Sequence, residues 1–440
     1  MQTLNGGALR LADDVRYGRY GDQVYLRRID ARKDYLFNGI VEDILGCFAS
    51  GAALEADALL EALAREYDIP DADAFREDML GFLQLLCDES ILIRREGGAP
   101  APSVHDRVNQ WCVENHALLS ACLELTYRCN ERCVHCYVDD PDRSGEELTP
   151  DEWKGVVDQL RAMGCVSLLL TGGEVCVKEG FIDIARYASE KGMLVDIYSN
   201  GIAIDDDRFD ELVALKPNSL SFSLYGGDAQ THDAITKVKG SFERTVRAAM
   251  MTRCAGIDTY IKTVVMRENA HSLEGLMRLG KRLNIPVTPA FVIMDTHLGR
   301  PGDAHRLGSA GEYADIMRMM ERYTPGLLGG GSPDPNRPNC SAGRSTLSID
   351  PYGGVHPCNT LPLTCGNVRE TPIERIWSES ATLRALQCLK VRDVCAECET
   401  CEALPHCSIC LGRIGWEPGE PVAIPEEICR IARGKRQSRM

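Results

Sequence analysis

Between residues 120 and 325 short apolar runs alternate with longer amphipathic ones, and this alternation limits the possible folds more than any other feature. The strand-like runs are Leu123 to Tyr127, Val166 to Leu170, Leu194 to Tyr198, Ser219 to Leu224, Thr259 to Val265 and Val287 to Ile293. Between them lie the helix-like runs Pro150 to Met163, Glu179 to Glu190, Asp206 to Leu215, Ser241 to Cys254 and His271 to Leu283. Buried-looking strands joined by helix-length connections pair in parallel, with helices covering the sheet. Six such units suit an α/β fold with a partial (β/α)6 TIM-like barrel better than a closed eight-stranded one. In such sheets the site lies on loops at the carboxyl ends of the strands.

The flanking segments differ in character. Residues 1–97 open with two β-like runs within Tyr17 to Ile29, with Gly21-Asp22 as a hairpin turn signal. Helix-like stretches follow at Ile40 to Ala49, Ala56 to Tyr67 and Asp73 to Leu86, the last with Phe75, Met79, Phe82, Leu83 and Leu86 on one face. A strand at Ile91 to Arg94 completes a winged-helix-like pattern, which reads as a peptide-binding domain or as a structural cap on the barrel. The Gly/Ala/Pro stretch Gly97 to Pro102 marks 98–119 as a linker, and the barrel spans 120–325. After a break at Gly329 to Pro333, residues 335–440 are turn-rich and hold half of the 20 cysteines, from Cys340 onward. A segment so poor in long apolar elements needs metal to hold it, so a cysteine-rich, metal-held domain is expected there. The basic tail Arg430 to Arg439 reads as a solvated end.

Charge narrows the function classes. With 65 acidic and 49 basic side chains the net charge is −16, which argues against a nucleic-acid partner and against docking on an anionic membrane. No apolar run approaches the roughly 20 residues that span a bilayer, and Met1 to Asp14 lacks the basic and apolar regions of a secretory signal. A cytoplasmic location is expected, where disulfides are not the default use of so many thiols.

Cys129, Cys133 and Cys136 form a C-x3-C-x2-C run after the first strand-like segment. Three thiolates on one loop can hold three corners of a cubane iron–sulfur cluster and leave one iron open. Zinc is the alternative, but structural zinc prefers paired C-x2-C and closes its fourth position. The run from Cys129 through Asn130, Glu131, Arg132, Cys133, Val134 and His135 to Cys136 resembles the signature of the radical S-adenosylmethionine (SAM) enzymes. His135 takes the place where that family usually carries an aromatic residue. Thr171-Gly172-Gly173-Glu174, after the second strand, resembles the family's Gly-Gly-Glu motif, in which the glycines admit close backbone approach and Glu174 would meet the methionine amino group. Ser199-Asn200-Gly201 resembles the ribose-contacting loop, and Ser221 to Tyr225 the fourth-strand contact. The resemblance implies a [4Fe–4S] cluster on Cys129, Cys133 and Cys136 with SAM on its open iron. One electron, from a reductant such as flavodoxin or ferredoxin, would then yield a 5′-deoxyadenosyl radical that abstracts hydrogen from unreactive carbon.

Cys398-x2-Cys401-x5-Cys407-x2-Cys410, followed by Cys429, resembles the SPASM extension, which houses two auxiliary Fe–S clusters. Cys340, Gly353 and Cys358 match its opening element. The family's interleaved ligation implies Cys398, Cys401, Cys407 and Cys429 on an outer cluster, and Cys340, Cys358 and Cys410 on an inner one. The last spacing is x2 where x3 is usual, and Cys395 makes a competing C-x2-C with Cys398. Cys365, or a substrate thiolate, would complete the inner site; a zinc ribbon is the alternative for this tail. Cys176, two residues past Glu174 on a loop facing the radical site, and Cys365 are the candidate catalytic thiols. The plainer reading of Cys176 is a small buried apolar side chain.

Tyr35 to Asn38, then an apolar helix, then a helix ending near Leu86 resembles the recognition element of peptide-modifying systems and the small peptide chaperone of pyrroloquinoline quinone biosynthesis. A strand with a free edge beside a helix accepts an extended peptide as an added strand. Together the resemblances imply a maturase of a ribosomally synthesised peptide (RiPP), with the precursor's leader bound by the N-terminal domain. The reaction implied is a thioether cross-link from a cysteine sulfur to carbon. Carbon–carbon cross-linking, epimerisation, or maturation of an enzyme side chain or cofactor would use the same parts. A zinc-holding binding protein is the alternative without catalysis.

Overall fold

The computed structural model describes residues 9–12, 15–20, 23–28, 33–38, 41–48, 54–67, 69, 71–94, 104–138, 145–297, 299–329, 332–361, 363–419 and 423–439. They fall into two compact units, one from Met1–Ser103 with Thr324–Gly329, the other from Val104–Tyr323 with Gly330–Met440.

The first unit contains β1 (Leu9–Leu11), β2 (Val15–Tyr20), β3 (Gln23–Arg28), β4 (Lys33–Asn38), α1 (Val41–Gly46), α2 (Ala56–Glu66), α3 (Ala72–Asp88) and β5 (Leu92–Arg94). Strands β2, β3 and β4 form an antiparallel meander, and β1 pairs with β5. The turn residues Gly21 and Asp22 lie outside the described residues, but Tyr20 pairs with Gln23, as a two-residue hairpin connection requires. Strand β4 goes beyond the two-stranded reading. Tyr35 and Phe37 pack on the core that holds Val24, Leu26, Met79, Leu83 and Leu86, while Leu36 between them is 56% exposed. Phe37 meets Phe82 of α3 edge-on at 5.8 Å, and the Tyr35 hydroxyl donates to Glu89 just past that helix at 2.6 Å. The other edge of β4 pairs with no strand among the described residues. Asp71 starts α3 by accepting from the backbone N–H groups of Asp73 and Ala74.

The second unit runs α4 (Val104–Asn115), β6 (Ser120–Glu124), α5 (Pro150–Ala162), β7 (Ser167–Thr171), α6 (Phe181–Glu190), β8 (Leu194–Ser199), α7 (Asp206–Leu215), β9 (Ser219–Ser223), α8 (Ala229–Thr236), α9 (Ser241–Cys254), β10 (Thr259–Val264), α10 (Leu273–Leu283), β11 (Val287–Ala290) and α11 (Ala310–Tyr323). It continues with β12 (Thr346–Ile349), β13 (Gly354–His356), β14 (Gly366–Asn367), α12 (Ile373–Glu379), α13 (Ala381–Cys388), α14 (Val391–Val394) and α15 (Glu426–Gln437). Strands β6 to β11 are parallel and lie in chain order, the six βα units expected of a partial barrel. Alternation gives each strand two faces. Leu168, Leu170, Val195, Ile197, Leu220, Phe222 and Ile261 are buried on the helix side. There α5 presents Trp153, Val156, Val157 and Leu160, spaced to share one helical face. Each such side chain contributes about 1.5–3 kcal/mol by leaving water. The opposite face, with Cys122, Glu124, Leu169, Asp196, Tyr198, Ser223 and Lys262, lines the barrel interior.

Three elements differ from the sequence reading. Residues 104–115, inside the stretch read as linker, are α4, and the Trp377 indole donates to the carbonyl of His116 just beyond it at 3.0 Å. Strand β12 adds to the barrel sheet in parallel beside β6, pairing Ser348 with Cys122, so the cysteine-rich region continues the same sheet. The basic tail is α15, whose Ile428, Ala432 and Gly434 are buried; a Cβ on Gly434 would lie 2.6 Å from Cβ of Tyr313 on α11. Arg433 and Arg436 face outward to Glu426 and Glu402, whereas Arg430 donates to the Gly308 carbonyl at 2.7 Å. Among the described residues no helix is long and apolar enough to cross a membrane.

Candidate active site

The first strand ends at Glu124, three residues earlier than the run that marks it, so Leu125 to Arg128 already belong to the loop leading to the cysteines. The loop after β7 is laid directly on it. The Gly173 N–H donates to the Thr126 carbonyl at 2.7 Å, and the Glu174 N–H to the Arg128 carbonyl at 3.0 Å. Gly172 has φ +140°, and a Cβ there would lie 2.2 Å from the Thr126 oxygen; one on Gly173 would lie 2.5 Å from the carbonyl oxygens of Tyr127 and Arg128. Any side chain would force the two loops apart.

This seating buries Glu174. Its carboxylate accepts from the Ser199 hydroxyl at 2.7 Å, the Asn200 N–H at 2.6 Å and the Cys176 N–H at 3.0 Å. Burial pushes its pKa up, and those hydrogen bonds oppose the shift. The Asn200 side chain donates to Asn130 Oδ1 at 2.6 Å and reaches Cys129 Sγ at 3.8 Å, so the third strand's loop is tied to the cysteine loop.

Cys129, Cys133 and Cys136 open on one cleft of about 680 Å³, which His135, Gly172, Gly173, Glu174, Ser199 and Asn200 also line. Burial pushes the Cys129 thiol up to about 12 and raises Cys133 further, with Glu131 and the neighbouring thiols adding to both. Thiols held this way ionise only against strong positive charge, and a cluster bound by three cysteines supplies it, so the donor set fits. His135 is neutral, its pKa pushed down to about 4 chiefly by burial, and its ring meets Tyr225 edge-on at 4.6 Å.

Three candidates fall elsewhere. Ser221 is buried one step down β9, and Ser223, two residues on and on the same face, lines the cleft instead. Cys176 does not face the cleft: the short 3-10 turn after Glu174 directs its sulfur to Ser199 Oγ at 3.7 Å, where burial holds the thiol well above its ordinary pKa. Cys365 is not among the residues lining the cleft; its sulfur lies 3.8 Å from the Leu363 carbonyl, and burial pushes its pKa up to about 11.

The radical SAM superfamily model matches residues 123–280, and that of the iron–sulfur cluster-binding SPASM domain matches 340–402. The chain carries a radical SAM domain followed by a SPASM domain. It is 28% identical over 339 residues to the AdoMet-dependent heme synthase of Nitratidesulfovibrio vulgaris, covering 70% of this chain and 90% of that one. It is 29% identical over 301 residues to the mycofactocin maturase MftC of Mycolicibacterium smegmatis, covering 62% and 74%. The fold is shared with Streptococcus suis SuiB bound to the precursor peptide SuiA, at TM-score 0.57 and 13% identity over 96% of this chain and 99% of that one.

From Cys340 onward the cysteines fall into two electrostatically coupled groups. Cys340, Cys358 and Cys410 act on one another electrostatically, and the Thr360 hydroxyl stands 3.1 Å from Cys358 Sγ and 3.9 Å from Cys410 Sγ. Cys398, Cys401, Cys407 and Cys429 form the other group, and Cys395 joins them as a fifth thiol. The two domains meet at the cleft. Asn359, next to Cys358, lines it and bonds to Tyr137, next to Cys136. Tyr137 and Tyr127, which also line it, both donate to Glu124, whose pKa burial pushes up to about 7. The cleft wall after β11 is clamped from behind: buried Arg306 binds Asp295, and Arg413 of the cysteine-rich C-terminal region bridges Asp295 and Glu427. The sequence reading missed this layer. Its one visible signal is a carboxylate, Glu124, inside the apolar run Leu123 to Leu125.

Proposed function

We propose that the protein is a radical SAM maturase of a ribosomally synthesised peptide, and that it closes a thioether between a cysteine sulfur and a carbon of the core peptide. The observation that carries the reading is the single cleft onto which the cysteine loop, Glu174 and Asn200 all open. A [4Fe–4S] cluster on Cys129, Cys133 and Cys136 with SAM supplies, when bound and reduced, hydrogen-atom abstraction from an unactivated C–H bond. Glu174, fixed by Ser199 and Asn200, orients the methionine amino group, and Asn200 and Ser223 take the ribose side. Forming the S–C bond removes a hydrogen atom from carbon, a proton from sulfur and one electron. An auxiliary iron–sulfur site beside the cleft suits the need for an electron acceptor.

A peptide substrate is supported by the edge of β4 that pairs with no strand among the described residues, which offers main-chain hydrogen bonds to a leader. It is also supported by the fold shared with SuiB, whose solved complex contains a precursor peptide. The relatives named heme synthases favour a second reading, a small cofactor precursor as substrate. The test is anaerobic turnover with SAM, a reductant and the short peptides encoded beside the gene. Loss of two hydrogens from one peptide, with the new bond at cysteine, supports the thioether. Deoxyadenosine formation stimulated by a tetrapyrrole and by no peptide supports the second reading.

A further inference from the structure

The chain after β11 brings His305, at the end of a short 3-10 turn, to the wall of the cleft. Its main chain is fully engaged in that wall: the N–H donates to the Gly302 carbonyl at 3.1 Å, and the carbonyl accepts from the Arg267 N–H at 2.8 Å. The Arg267 guanidinium donates to the next carbonyl, that of Arg306, at 3.0 Å. What His305 offers to the cleft is its ring. Nδ1 lies 2.6 Å from Glu268 Oε1, on the loop after β10, and the side chain is 22% exposed. That loop is itself fixed, because Asn269 accepts from the Met266 N–H and donates to the Val264 carbonyl, each at 2.8 Å. The ring also acts electrostatically on His135, which lines the cleft between Cys133 and Cys136.

We propose that His305 is the general base of the cleft, and that its Nε2 takes the proton from the thiol of the substrate cysteine. A carboxylate only accepts hydrogen bonds, so Glu268 fixes the ring proton on Nδ1 and leaves the lone pair on Nε2. Among the described residues Nε2 has no hydrogen-bond partner. A base held in one orientation by a third group is the arrangement that activates a weak nucleophile. The other titratable side chains of the cleft are committed. Glu174 accepts from Ser199, Asn200 and Cys176, and Glu131 lies within the cysteine loop, 3.3 Å from Cys133 Sγ. Burial raises the hydroxyls of Tyr137, Tyr198 and Tyr225, so they keep their protons, and burial makes His135 a weak base. In the proposed step the S–H bond breaks, an N–H bond forms at Nε2, and the electron pair stays on sulfur for the S–C bond. One proton moves and no electron does.

The inference rests on the thioether reading and names the group that receives the proton from sulfur. The cluster-loaded protein is given SAM, a reductant and the short peptides encoded beside the gene, without oxygen, and a second set carries selenocysteine in place of cysteine. A selenol is ionised at neutral pH and needs no base. The cross-link formed per 5′-deoxyadenosine is read by mass spectrometry for wild type and His305→Gln. With cysteine the ratio is expected to fall roughly 100-fold in the variant, the scale of a lost general base, and with selenocysteine to return close to that of the wild type. A cleft merely loosened by the substitution would lower the ratio for both sets alike. Equal ratios for wild type and variant with cysteine, or a deficit that selenocysteine does not relieve, overturn the proposal. A wild type that joins no sulfur to carbon overturns the thioether reading and this proposal with it, an outcome distinct from an active wild type matched by its variant. A further measurement needs no turnover: diethyl pyrocarbonate acylates an open imidazole nitrogen, and His305 of the loaded protein should react within several-fold of the rate of exposed His271. His305 left untouched while His271 reacts also overturns the proposal.

Discussion

The side-chain amide of Asn359 donates to the hydroxyl of Tyr137 at 3.1 Å, and so joins the residue after Cys358 to the residue after Cys136. The same hydroxyl donates to buried Glu124 at 2.9 Å. Tyr137→Phe removes a donor from a buried carboxylate and should cost about 1–3 kcal/mol, whereas Asn359→Ala leaves that bond intact and should cost nearer 1 kcal/mol. Thermal unfolding of the cluster-loaded variants orders them. An Asn359→Ala variant as unstable as Tyr137→Phe would mean that the amide holds more than this one bond.

Glu124 gives the protein a pH signature. Its pKa is raised in the fold to about 7 by burial, from an ordinary 4.5. In that window the folded state binds the extra proton, so the stability is fully present below about 4.5 and is lost as pH rises through about 7. The loss amounts to roughly 3 kcal/mol. Glu124→Gln cannot ionise, so its stability should fall less across the window than that of the wild type. Glu131, also raised to about 7, contributes to both curves and cancels in their difference. Parallel curves would show that Glu124 stays ionised throughout.

Gly173→Ala tests the seating of the Glu174 loop. The new methyl meets two carbonyl oxygens at 2.5 Å, and backbone cannot yield as a flexible side chain can. A destabilisation of about 1–3 kcal/mol is expected for such overpacking, with weakened SAM binding by equilibrium dialysis because Glu174 shifts with the loop. Unchanged affinity would place SAM recognition elsewhere.

The outer thiol group has five members, and a four-iron cluster takes four. Cys398→Ala and Cys395→Ala should each retain auxiliary iron, because the other cysteine takes the vacant place, while the double variant should lose it. Iron analysis distinguishes this from a fixed ligand set, in which Cys398→Ala alone suffices.

The six barrel strands are legible because a strand buried by helices reads as a continuous apolar run, and the motifs follow because they sit at fixed strand ends. Depth and direction are not legible in the same way. Alternation places Ser221 and Ser223 on one face without saying which reaches the cleft. Two residues of sequence separate Cys176 from Glu174, yet the intervening turn sends its sulfur beneath the site. Strand β12 is only four residues long, and its place beside β6 depends on a partner far away in sequence. The second layer formed by Glu124, Tyr137 and Asn359 exists only once the two domains are folded together, so spacing alone could not reveal it.

The most direct measurement is iron and sulfide content, with 5′-deoxyadenosine formation, for anaerobically purified wild type beside the variant carrying Cys129→Ala, Cys133→Ala and Cys136→Ala. Near twelve irons falling to about eight, with SAM cleavage abolished, is the result expected for three four-iron clusters of which one sits on this loop. Zinc in place of iron, or SAM cleavage retained by the triple variant, would contradict it.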